Sequence, residues 1–228
     1  MTTKLNEYKV SGILLLLVCV TIVLSGVFAS MAVSLTFSSN DIGNTLTALA
    51  ANKNIHLTSI AFDLSSFILT VLLAGALYQV FGKQNELLSR LGAFCLLASG
   101  IILSYHDIGN FILPALAEDY VALNGDSALV LLAVAKNVLL HEIWGVKIGY
   151  TYFSLGIISF CFAALMSPQF KKLWGCFGIF SALVTLLALY IPLGNYQDMI
   201  AMAAFLPMLI WEVAFGITLL SAKDSPSM

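Results

Sequence analysis

Charge is what this sequence has least of. Only 10% of its 228 residues are Asp, Glu, Lys or Arg, where a soluble globular domain carries about 25%. Hydrophobic residues make up 60% and the mean hydropathy is +0.98. Polar side chains this scarce cannot cover the surface of such a chain in water, so the solvent it is built for is lipid. The formal net charge of −2 and the lack of any basic run exclude nucleic-acid binding driven by counterion release. A Gly-rich phosphate loop, a zinc knuckle and an HExxH helix are also missing. The four cysteines, Cys19, Cys95, Cys161 and Cys176, show no CxxC spacing. Each lies in an apolar stretch and reads as a small core residue, with no disulfide expected.

What is present is a set of long apolar runs. Crossing a bilayer takes about 20 apolar residues, and six stretches qualify: roughly 10–35, 57–81, 91–113, 146–166, 174–194 and 199–221. The first follows Lys4 and Lys9 and carries Val27-Phe28-Ala29, which imitates a signal-peptide cleavage site. It continues past that point through Met31, Val33, Leu35 and Phe37, too far for a signal's apolar core, so an uncleaved span is expected. Short polar joints separate several spans: Gly82-Lys83-Gln84-Asn85-Glu86, Ser167-Pro168-Gln169-Phe170-Lys171-Lys172 and Asn195-Tyr196-Gln197-Asp198. Two connections are longer. Residues 38–56 open on Ser39-Asn40-Asp41, a plausible helix N-cap, and continue as a mildly amphipathic segment. Residues 114–145 hold Glu118, Asp119 and Asp126, then an apolar piece that reads either as a surface helix or as an extension of the fourth span. The expected architecture is all-α, a single integral membrane domain over residues 1–228 built as a six-helix polytopic bundle.

Lys and Arg counts orient it. With the N-terminus inside, Lys4, Lys9, Lys83, Arg90, Lys171, Lys172 and Lys223 are cytoplasmic and Lys53, Lys136 and Lys147 are outside, seven against three. Both termini are therefore expected in the cytoplasm. Tyr150, with Trp144, Tyr190 and Tyr196, is expected near the outer interface.

An ionisable side chain within a span costs at least ~2.5 kcal/mol on insertion scales and normally faces protein or water. Asp63, Asp107 and Glu212 are the three carboxylates so placed. In the second span His56, Ser59, Asp63, Ser66 and Thr70 recur at spacings of three and four, on one helix face. In the third, Ser99, His106 and Asn110 share a face, with Asp107 about 100° away. The two stripes reach the same outer depth on adjacent spans and are expected to face each other across an outer-leaflet pocket. Asn137, His141 and Glu142 approach it from the long outer connection. Gly145 and Gly149 fit GxxxG at the mouth of the fourth span, where they read as a flexible helix entry rather than a dimer face.

Three roles compete for these residues. One is a hydrogen-bonded network that joins helices. A second is a solute or proton pathway, with Asp63, His106, Asp107 and Asn110 outside, Glu212 deeper, and Pro207 kinking the last span. A third is a metal or haem site: His106, His141 and Asp63 would make an open zinc site with Glu142 as general base, or two of the histidines would hold a haem. The favoured expectation is a non-enzymatic protein without cofactor, with zinc or haem as the alternative. Its partner is the lipid bilayer, and a homo-oligomer or a membrane partner protein is left open.

The order of several pieces resembles a family of bacterial multi-pass proteins described as domain of unknown function 4386. These are Asp63 in Ile60-Ala61-Phe62-Asp63-Leu64, the polar loop Lys83-Gln84-Asn85-Glu86, Pro168 with Trp174-Gly175, and Pro207 followed by Glu212 in Leu206-Pro207-Met208-Leu209-Ile210-Trp211-Glu212. Many of these proteins carry an arginine early in the third span, where this chain has only Arg90 at the boundary. The resemblance implies a six-pass fold in the bacterial plasma membrane, and no activity.

Overall fold

A backbone surrounded by lipid has no water to bond, so every apolar run must close its hydrogen bonds internally. The chain does so as helix. The structure, a computed structural model, describes residues 6–32, 42–123, 126–191 and 197–222, and the side chains of all of these except 197–202. Its helices are α1 (Glu7–Ala32), α2 (Ile42–Ala51), α3 (Lys53–Phe81), α4 (Glu86–Ala122), α5 (Asp126–Met166), α6 (Lys172–Tyr190) and α7 (Gln197–Ser221), with no strand among the described residues. All but α2 are long and apolar enough to cross a membrane. The fold is an all-α bundle of six candidate spans.

The six long helices stand in a ring in chain order. α1 packs on α3, α3 on α4, α4 on α5, α5 on α6, α6 on α7, and α7 closes against α1. The short α2 leans chiefly on α4. Asn52, between α2 and α3, donates from Nδ2 to the carbonyls of Ala32 and Ala48, each at 3.1 Å, and so ties the end of α1 to the α2–α3 corner. α4 starts cleanly because the Asn85 side chain accepts from the Leu88 N–H at 3.0 Å.

The helices depart from the expected spans mainly at the third and fourth. α4 runs through Pro114 to Ala122, and α5 begins at Asp126. Most of the 114–145 connection is thus a helical hairpin, and its apolar piece is the start of α5. Gly145 and Gly149 consequently lie in the interior of a helix and face α4. A Cβ on Gly145 would stand 2.5 Å from His106 Cβ, and one on Gly149 would collide with Leu103. They are the notch through which α4 and α5 approach, not a helix entry. Cys176 also differs from expectation: it is exposed on α6 while Cys19, Cys95 and Cys161 are buried. The buried phase of α6 runs through Gly175, Gly178, Ala182 and Thr185, which turns Cys176 outward. The proposed N-cap Ser39-Asn40-Asp41 lies outside the described residues.

Buried side chains form three layers along the bundle. At the end holding the start of α1 and the end of α3, an apolar cluster gathers Leu15, Leu77, Phe81, Phe160, Phe170, Trp211 and Phe215. Phe81 is its hub, with ring centroids 5.4 Å from Phe170 and 5.9 Å from Phe160. The Trp211 indole donates to the Trp174 carbonyl at 2.9 Å, so the ring nitrogen is satisfied. At the opposite end a smaller apolar cluster joins Ala32, Leu46, Leu49, Leu113, Ala117, Ala135 and Leu139. Polar residues of α3, α4 and α5 occupy the level between the two.

Closure of the ring depends on two small residues. A Cβ on Gly12 would meet the Gly216 carbonyl oxygen at 2.7 Å, a backbone atom that cannot step aside, whereas one on Gly26 meets nothing within 4 Å. Gly12→Val is expected to destabilise the protein by roughly 1–3 kcal/mol and Gly26→Val to leave it unchanged, read as melting temperatures in mild detergent.

Candidate functional site: a polar cavity between two apolar layers

The middle layer encloses a cavity of about 210 Å³. From α3 it is lined by His56, Ser59, Ile60, Asp63 and Phe67, and from α4 by His106, Asp107 and Asn110. α5 contributes Glu142, Val146 and Tyr150, and α1 contributes Ala29. The spacings of three and four put each set on one helix face. His106 fits because Gly145 presents no side chain where its Cβ lies. Its ring is tilted against Phe67, centroids 6.2 Å apart.

One hydrogen bond in the wall has its origin in a proline. Pro114 has no N–H, so the carbonyl four residues earlier, that of Asn110, is left without its helical donor. His56 Nε2 lies 3.4 Å from that oxygen. A carbonyl only accepts, so the bond requires His56 to carry its proton on Nε2. The Asn110 side chain turns the other way and donates from Nδ2 to Asp107 Oδ1 at 3.0 Å. Ser59 donates to the Ser25 carbonyl at 3.1 Å, and the Ser25 hydroxyl lies 3.2 Å from Ser59 Oγ and beside Asp63.

Other atoms of the wall have no such partner. Asp107 Oδ2, Glu142 Oε1 and His106 Nδ1 are buried and accept or donate no hydrogen bond. The residues themselves are 1%, 8% and 6% exposed. His106 Nε2 stands 3.7 Å from Asp107 Oδ1, beyond hydrogen-bond length. Asp63, Asp107 and Glu142 are within electrostatic reach of one another.

The structure thus brings together Asp63, His106, Asp107, Asn110 and Glu142, and leaves His141 and Asn137 out. Both of the latter are exposed, and His141 packs edge-on against Tyr105 with centroids 6.2 Å apart. The buried phase of α5 runs through Ala135, Leu139, Glu142 and Gly149, so residues 137 and 141 point away from it. Among the described residues no three His, Cys, Asp or Glu side chains are arranged to hold a metal ion. The set His106, His141 and Asp63 is therefore not assembled. A cavity of this size, below the ~300–1,000 Å³ of pockets for drug-sized ligands, does not fit a haem either.

Glu212 lies elsewhere. It is 1% exposed near the middle of the apolar stretch of α7, with Oε2 unpartnered, and does not line the cavity. Tyr150 stands between: it lines the cavity, packs edge-on to Phe205 of α7 at 4.9 Å, and is within electrostatic reach of Asp63, Asp107 and Glu212. The sequence assigned Tyr150 to the membrane interface and gave the first span no part in the site. The buried phase of α5, read one turn further, was the signal for Tyr150. For Ala29 and Ser25 no signal stood out.

The chain matches the model of a family described as Domain of unknown function (DUF4386) over residues 10–222. The chain belongs to the DUF4386 family. That description assigns no activity, and no curated protein and no solved structure matches this DUF4386 protein.

Asn110→Ala in this DUF4386 protein removes the donor from a carboxylate that is almost wholly buried. A loss of roughly 1–3 kcal/mol is expected, visible as a lower melting temperature in detergent, while Asn137→Ala on the exposed face of α5 leaves the melt unchanged.

Proposed function

We propose that this is a non-enzymatic protein of the bacterial plasma membrane whose polar cavity, in the outer half of the bilayer, holds a small polar solute. The unpartnered atoms carry this reading. Side chains that serve only to join helices are expected to be paired, because each buried polar atom left unsatisfied costs about 1–3 kcal/mol. Among the described residues the Ser66, Ser89, Ser99 and Ser154 hydroxyls and Glu212 Oε2 are also buried and unpaired, but only Asp107 Oδ2, Glu142 Oε1 and His106 Nδ1 gather in the wall of one cavity. Atoms kept in that state are held ready for an occupant, in the way functional sites retain strain that a scaffold would lose.

The orientation rests on the excess of Lys and Arg at Lys9, Lys83, Arg90, Lys171 and Lys172, which argues for a cytoplasmic end opposite the cavity. A second reading, a small proton-coupled carrier, is favoured by Tyr150, which bridges the neighbourhood of Asp63 and Asp107 to that of Glu212. Glu212 follows Pro207 by five residues in a helix that has lost one backbone donor.

Two experiments test the pocket. Glu142→Gln is expected to leave the melting temperature of the empty protein unchanged or raise it; a drop as large as that of Asn110→Ala would make the cluster a structural network. Val146→Cys, in a background without the native cysteines, is expected to react with an impermeant thiol reagent added to intact cells. Gln84→Cys reacts only after permeabilisation. Protection of Val146→Cys under both conditions would remove the solvent-connected pocket, and the opposite labelling pattern would invert the topology. For the carrier reading, Asp63→Asn and Glu212→Gln are expected to fold normally and abolish proton-coupled flux in vesicles.

A further inference from the structure

Three hydrogen-bond donors of the cavity wall are committed within the protein. The Asn110 amide goes to Asp107, the His56 N–H to the Asn110 carbonyl, and the Ser59 hydroxyl to the Ser25 carbonyl. Neither lysine nor arginine lines the space. Buried without a partner are a carboxylate oxygen on Asp107, another on Glu142, and Nδ1 of His106, which donates or accepts according to the tautomer. All three residues are more than nine-tenths buried, so bulk water does not satisfy them. An occupant that completes the two carboxylate oxygens brings N–H donors and positive charge.

Size and surface narrow the class. An apolar cavity of about 150 Å³ accommodates benzene, so the 210 Å³ here has room for a molecule of about that size or slightly larger. Phe67 and the Tyr150 ring form part of the wall, beside Ile60 and Val146. Aromatic faces attract ammonium groups, and the aliphatic side chains suit a short hydrocarbon tail. A bare divalent ion is a poor match, because it wants six or more oxygens at about 2.0–2.6 Å and no metal-holding group exists among the described residues.

We infer that the cavity is a binding site for a small primary organic ammonium ion, its N–H groups shared between Asp107 and Glu142 and its hydrocarbon part against Phe67, Ile60 and Val146. The inference rests on the pocket reading above and names the class of its occupant. Asp63, within electrostatic reach of both carboxylates, adds to the attraction.

The test uses the full-length protein in mild detergent at constant ionic strength, followed by thermal melts and calorimetric titration. The probes are n-butylammonium, n-butanol, n-butyrate and tetramethylammonium, which separate charge, donor capacity and hydrocarbon. Butylammonium alone is expected to raise the melting temperature in a saturable way. Its affinity is expected to fall at least about tenfold in Glu142→Gln and to vanish in Val146→Phe, which fills the space while keeping every carboxylate. If Val146→Phe does not fold, Ile60→Phe serves the same purpose. Saturable binding of butyrate or butanol in place of butylammonium, lost in the cavity-filling variant, overturns the ammonium assignment and leaves the pocket standing. Absence of any butylammonium effect also overturns it, and labelling of Val146→Cys then decides independently whether the pocket itself survives. Equal binding of tetramethylammonium, which has no N–H, overturns the donor argument.

Discussion

Lipid offers no hydrogen bonds, and that constraint organises the molecule. Each backbone polar atom carried into the bundle has to be answered from within the protein, and a side-chain atom left unanswered is costly. The chain meets this by segregating polarity along the bundle axis as well as around each helix. Leu96 and Phe153 belong to one apolar cluster, Leu113 and Leu139 to the other, and the residues between them on the same two helices, 106–110 and 142–150, form the polar level. The polar level is flanked by apolar layers, and its buried side chains sit at low dielectric, where a paired charge gains much and an unpaired one costs much.

The proline in α4 shows how one backbone defect is made part of the site. Pro114 removes a helical donor in the second half of α4, and His56 from the neighbouring helix supplies the replacement. The exchange couples α3 to α4 and fixes the proton position on His56. It also keeps the Asn110 side chain free to serve Asp107. A backbone gap that would weaken an isolated helix by ~3 kcal/mol becomes a contact between helices.

The sequence showed much of this and missed the rest for identifiable reasons. Composition and the six apolar runs were enough for the all-α membrane bundle, since hydropathy reports the solvent directly. Spacing alone put His56, Ser59 and Asp63 on one face, and His106 and Asn110 on another. What failed was the bound of the third span near residue 113, because α4 runs on through Pro114 to Ala122. With the piece before residue 146 left open between a surface helix and an extension of the fourth span, its residues had no fixed phase, and His141 and Glu142 were both brought toward the pocket. Once α5 runs unbroken from Asp126, a rotation of about 100° per residue separates them: Glu142 is buried and His141 exposed. The share of α1 in the site was invisible for a different reason. A small residue such as Ala29 lines a cavity by lacking a side chain, and nothing in a pattern of apolar residues marks that.

α4 and α5 have 37 and 41 residues, lengths of about 56 and 62 Å, against a hydrocarbon layer of about 30 Å. The two are pressed together at Gly145 and Gly149, which resists sliding of one along the other. Their far ends, near Ala122 and Asp126, reach well past the cavity, and α2 lies against α4 there. Beyond Asp107, α4 continues through Pro114 to Ala122, about 22 Å of helix, so the cavity wall and the tip of the hairpin belong to one continuous piece of secondary structure.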